Sequence, residues 1–89
     1  MTKVANIRSA RGNIVPNQFT IKTDSGTYFQ SYESIICFRS NDGKIYLDEK
    51  FWDYSRTTAK YRNIFLGENK QETLKKINDG TYTFKELNK

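Results

Sequence analysis

Up to Glu49 the apolar residues of this chain fall largely at every second position, and from Ser55 onward they recur every three to four. That change of period constrains the fold more than any other feature, because it places strands first and helices after them. It predicts an α+β domain over residues 1–89: an antiparallel sheet of four to five strands, with one longer and one shorter helix packed on one face.

Within the strand-forming half, Lys3 to Ser9 reads as a short edge strand or an arm inside residues 1–10, and Arg11 to Asn17, with Gly12 and Pro16, reads as a turn or loop. Gln18 to Thr23 alternates Phe19 and Ile21 against Thr20 and Lys22, the pattern of a strand with one wet face. Thr27 to Ser40 is too long for one ordinary strand, so a bend or bulge is expected between Ser31 and Ser34, with Ile35 to Arg39 central. Asn41-Asp42-Gly43 supplies the positive φ of a hairpin, and the returning strand points Ile45 and Leu47 inward and Tyr46 outward. Helices are expected over Ser55 to Leu66, closed by Gly67, and over Glu68 to Asn78, followed by a last strand within Thr81 to Leu87. The first few and last two residues are expected to be loose.

A domain of 89 residues must be economical with its core, and with 36% hydrophobic and 15% aromatic residues the burial falls largely to rings. The expected core is Phe19, Phe29, Ile35, Phe38, Leu47, Trp52, Tyr61, Phe65 and Phe84. Cys37 is the only cysteine and sits in an apolar run, which suits a small buried hydrophobe in a reducing, cytoplasmic setting. No stretch has the length of a membrane span. The net charge is +5, with Lys3, Arg8, Arg11 and Lys22 all preceding the first acid, Asp24. Polyanions or acidic protein surfaces are the natural partners of such a chain.

Catalytic signatures are nearly absent. There is no histidine, a single cysteine cannot make a zinc site, and no glycine-rich phosphate loop occurs. Asp48, Glu49 and Asp53 suit the start of a helix better than a Mg²⁺ site, and Ser55 and Thr57 suit capping better than nucleophilic attack. The expectation is a non-enzymatic protein without metal or cofactor. In the stretch Phe51 to Leu66, helical spacing puts Tyr54, Thr58, Tyr61 and Phe65 on an inward face and Arg56, Lys60 and Asn63 on another. The partner-binding candidates are therefore Arg56, Lys60 and Asn63, with Arg39 and Tyr54 nearby. A second set suits nucleic acid: Arg56, Lys60 and Arg39 for phosphates, with Tyr28 and Tyr46 for stacking.

The segments FQSYESII (Phe29 to Ile36) and WDYSRTTAKYRNIFLGE (Trp52 to Glu68) resemble a family of small tailed-phage and prophage proteins of unassigned function. The likeness covers most of the chain and brings no catalytic residues with it. It implies a phage-encoded accessory protein in the host cytoplasm. Its expected role is to bind and inhibit a host defence protein or nucleoprotein complex, in the manner of an anti-CRISPR. The alternative is a small basic accessory protein that binds single- or double-stranded nucleic acid.

Overall fold

The computed structural model describes residues 2–9 and 11–88. Six strands form one sheet: β1 (Lys3–Arg8), β2 (Ile14–Lys22), β3 (Gly26–Ser31), β4 (Ser34–Ser40), β5 (Ile45–Asp48) and β6 (Tyr82–Lys85). Two helices, α1 (Arg56–Leu66) and α2 (Lys70–Asn78), lie between β5 and β6 in the chain. The strands sit side by side in sequence order, and every neighbouring pair is antiparallel except β5 and β6. The class is α+β, but the sheet has six strands and is mixed. Parallel pairing requires the chain to return to the starting end of the sheet, and the two helices provide that crossover.

The stretch from Thr27 to Ser40 is two strands rather than one bent one. Tyr32 adopts φ 55°, a conformation costly for a bulky residue, and its N–H donates to the Asn17 carbonyl at 2.7 Å. The turn at Ser31 to Ser34 thus closes a hairpin, and an irregularity follows it in the pairing between Phe29 and Gln30. Pro16 lies inside β2 rather than in a loop. The ladder with β1 jumps there from Asn6 opposite Phe19 to Arg8 opposite Ile14, so Pro16 falls where no ladder N–H is needed, and Asn6 Nδ2 bonds the Val15 carbonyl instead. Of the chain ends, residues 1 and 89 lie outside the described residues. Asn88 is tied down, accepting from Ile35 N at 2.7 Å and donating to Ile35 O at 2.8 Å.

Both helices lie on one face. Phe65 of α1 stacks on Phe29 of β3, Thr58 of α1 hydrogen-bonds Ser31 at 2.9 Å, and Ile77 of α2 packs against the core near Tyr82. Ile7, Phe29, Ile36, Cys37, Leu47 and Tyr82 are buried, and Trp52, Tyr61, Phe65 and Leu66 close over them. Burial drives the Cys37 thiol far above its usual range and keeps it protonated. Phe84, expected in the core, is 41% exposed, because β6 is an edge strand and only one side of the ring meets Trp52. Phe19, Ile35 and Phe38 are half-buried and point by register to the face that carries no helix. In β2 it is Gln18 and Thr20, not Phe19 and Ile21, that face the helices.

Gln18 is 1% exposed, and neither its Nε2 nor its Oε1 meets a protein partner. A buried amide in that state costs on the order of 1–3 kcal/mol. Gln18→Met is accordingly expected to raise the melting temperature by several degrees, and an unchanged or lower value in a thermal melt would count against that accounting. Gly26 shows the opposite constraint. At its φ of 154°, an added Cβ would stand 2.2 Å from the Arg39 carbonyl oxygen and 2.8 Å from the Phe38 ring. Gly26→Ala should therefore lose about 3 kcal/mol or more, read as a lowered denaturation midpoint.

Candidate functional site

The stretch from Trp52 to Asn63 turns out to be internal scaffolding. Arg62 is fully buried: its Nη1 donates to the Trp52 carbonyl at 2.8 Å and to Asp53 Oδ1 at 2.9 Å, and Nη2 donates to Asn63 Oδ1 at 3.0 Å. Asp53 also pairs with Lys70 at the start of α2, at 2.7 Å. Ser55 caps α1 by accepting from Thr58 N at 3.1 Å, and Gly67 ends it in the left-handed conformation at φ 71°. Glu68 then collects Thr73, Lys76 and the Tyr82 hydroxyl, joining α2 to β6. Burial and the Glu68 carboxylate push the Tyr82 hydroxyl up to about 12.

This scaffolding divides the partner-binding set. Asn63 is half-buried and occupied by Arg62. Arg39 reaches across to the Phe65 carbonyl with its guanidinium 4.5 Å above the Phe65 ring. Tyr54 precedes α1, lies edge-on to Phe51, and is 44% exposed rather than turned inward with Thr58, Tyr61 and Phe65. Arg56 and Lys60 remain exposed on α1. The residue that continues their four-residue spacing is Ile64, 47% exposed, which the sequence reading passed over.

The second set divides differently. Arg39, Arg56 and Lys60 belong to the helix side, but Tyr28 and Tyr46 are brought together on the helix-free face. Val4, Ile21, Tyr28, Phe38, Tyr46 and Thr83 stand opposite one another across all six strands, one residue from each. Three are aromatic and consecutive: ring centroids lie 4.4 Å apart from Tyr28 to Phe38 and 6.3 Å apart from Phe38 to Tyr46, with the latter planes within 20°. The Lys85 ammonium sits 5.3 Å above the Tyr46 ring. Lys44, two residues before Tyr46, shares its face by strand alternation. Phe19, Gln30 and Ile35 form a second row beside the first. Asp48 shares this parity but is buried at the end of β5, beside a cavity also lined by Glu33, Glu49 and Glu86.

Asp48 accepts from Lys50 N, Phe51 N and Leu87 N at 2.8–3.0 Å. It thereby ties the chain after β5 to the C-terminal tail. Among the described residues no group of acids, cysteines or histidines is arranged to hold a metal ion. No helix among them is long and apolar enough to cross a membrane. Chemically the arrangement offers a row of half-buried aromatic rings with two lysines on one face, and a short cationic stripe on the other.

A family model described as "Family of unknown function (DUF8033)" matches residues 2–80. No curated protein and no solved structure matches the chain.

Burial opposes ionisation of Asp48, but the N–H groups of Leu87, Phe51 and Lys50, with the Asn88 side chain, outweigh it and hold the carboxyl below its ordinary range. The stability such a group contributes is present above the unfolded-state value of about 4 and is lost as pH falls through the native value. Asp48→Asn should therefore melt several degrees below the parent at pH 7, and the gap should close as both are taken towards pH 3. A gap that stayed constant with pH would show that the charge is not what holds the tail.

Proposed function

This chain belongs to the DUF8033 family, and for it we propose a non-enzymatic role in binding single-stranded nucleic acid on the helix-free face of the sheet. The observation that carries the reading is the unbroken row from Val4 to Thr83, with Tyr28, Phe38 and Tyr46 at its centre and Lys44 and Lys85 beside it. Unpaired bases stack on aromatic side chains displayed by a sheet, and lysines at the border meet their phosphates. A duplex hides its base faces, so the same ridge offers it much less. The counter-defence role expected from the phage resemblance rests instead on a protein partner, and the aromatic face does not by itself favour one.

Single-stranded oligonucleotides of about 12 nucleotides, followed by fluorescence anisotropy, test the reading. They should bind more tightly than duplexes of the same length, and the affinity should fall with salt at roughly −0.7 in log–log slope per phosphate neutralised. Tyr46→Ala and Tyr28→Ala should each weaken binding by about 1–3 kcal/mol while the melting temperature confirms a folded protein. Lys85→Ala should reduce the salt slope by about one phosphate's share. Absence of binding at low salt, or binding indifferent to both tyrosine variants, would refute it.

A further inference from the structure

The helix side carries a second surface of different chemistry. α1 contains Arg56, Lys60 and Arg62 but no acidic residue, and Asp53 is taken up by the buried Arg62 and by Lys70 of α2. Arg56 opens the helix, where a cation works against the helix dipole and an anion from outside would offset it. Arg56, Lys60 and Ile64 are all exposed and lie four residues apart, so they form a stripe that rises about 6 Å and winds about 40° round the helix at each step.

The Ile64 end of this stripe borders a groove of about 260 Å³ between α1 and the β1–β2 turn, lined by Ser9, Arg11, Lys60, Tyr61 and Ile64. The described residues of the turn are tied to one another. Ser9 N donates to Asn13 O at 2.8 Å, Gly12 N to Ser9 O at 2.9 Å, and Arg8 Nη1 to Gly12 O at 2.9 Å. Arg11 is thereby presented across the groove from Lys60, and the lining contains no carboxylate. The Lys60 ammonium lies 5.3 Å over the Tyr61 ring. An aliphatic side chain can pack directly on the exposed Ile64.

We propose that Arg11, Arg56, Lys60 and Ile64 form a docking surface for an acidic, extended segment of another protein that carries one apolar anchor residue. Charge complementarity sets the acids, and Ile64 sets the anchor. In an extended chain alternate residues stand about 6.5–7 Å apart on one face, close to the 6 Å step of the stripe. The segment that fits therefore reads acid, any residue, acid, any residue, apolar. Its carboxylates meet Arg56 and Lys60, and its anchor enters the groove beside Ile64 within reach of Arg11. The surface lies on the layer opposite the aromatic ridge, so its occupant and a nucleic acid do not compete for the same residues.

A synthetic peptide containing Glu-Ser-Glu-Ser-Leu between Gly-Ser flanks, titrated into ¹⁵N-labelled full-length protein, tests this. Saturable shifts are expected at the amides of Arg11, Lys60 and Ile64, with those of Tyr28, Phe38 and Tyr46 unmoved. Lys60→Glu and Ile64→Ser should each weaken binding roughly five- to tenfold at an unchanged melting temperature, as should Leu→Ser in the peptide. Absence of saturation, shifts confined to the aromatic face, or equal affinity for the Lys60→Glu variant would overturn the proposal. An oligonucleotide that moved the Arg56, Lys60 and Ile64 amides in place of the peptide would also overturn it, by making this surface part of a nucleic-acid path.

Discussion

The fold depends on a buried cation. Arg62 has no exposed side-chain surface, and its guanidinium meets three acceptors through Nη1 and Nη2 while its Nε meets none. Two of its acceptors, the Trp52 carbonyl and Asp53, come from the segment that leads from β5 into α1, and Asn63 comes from α1 itself. Satisfying one charge therefore fixes the path of the chain between the sheet and the helix layer. Asp53 also pairs with Lys70 in the first turn of α2, whose start is fixed by the reciprocal capping of Asn69 and Glu72. An apolar residue of similar volume would avoid the desolvation cost, but it would not specify that path. What the ion pair contributes here is a single arrangement rather than a large gain in stability.

That arrangement decides which surfaces are left open. Six strands at about 4.8 Å put the outer strands about 24 Å apart, and two helices packed side by side span roughly 20 Å. α1 leans on β3 and β4 and α2 on β6. The helix layer therefore stops short of the β1–β2 end, and the groove beside Arg11 and Ile64 is the step where it stops. The other face of the sheet has no helix to cover it. Its apolar residues cover one another instead, which is why Ile21, Tyr28, Phe38 and Tyr46 are half-buried rather than fully exposed. The ring of Phe38 lies against Gly26, filling the space that a side chain there would have taken.

Local signals were legible in the sequence because their causes are local. The Asn41 to Gly43 turn, the Ser55 cap, the Gly67 end of α1 and the alternation of Ile45, Tyr46 and Leu47 each follow from residues within one turn or one strand of each other. What escaped depends on distant chain. Alternation in β2 separates Phe19 and Ile21 from Gln18 and Thr20, but it does not say which face the helices will cover, and the more apolar pair lies on the uncovered one. The Ser31 to Ser34 hairpin was hidden because its left-handed residue is Tyr32, where a glycine or asparagine would have announced it. The direction of β6 is set by where the two helices deliver the chain. Of the candidate residues, Tyr28 and Tyr46 were found by type and united by register. Asn63 was misplaced because nothing local shows that Arg62, its neighbour, is buried against a carboxylate nine positions earlier.

The proposed functions divide between the layers. In the sheet, period two sends neighbouring residues to opposite faces, so the core row of Phe29, Cys37 and Leu47 requires an outer row, and here that row includes Tyr28, Phe38 and Tyr46. In the helix layer, the side of α1 that holds Thr58 and Arg62 inward leaves Arg56, Lys60 and Ile64 outward. Both outer surfaces are thus geometric complements of the same core. They differ in chemistry because one is a row of aromatic rings, while the other is narrow, cationic and bordered by a groove. A planar, unstacked ligand gains contact area on the first, and an extended anionic chain gains it on the second. Because the sheet stands between them, a change that alters one surface without touching Phe29, Leu47 or Arg62 leaves the other in place.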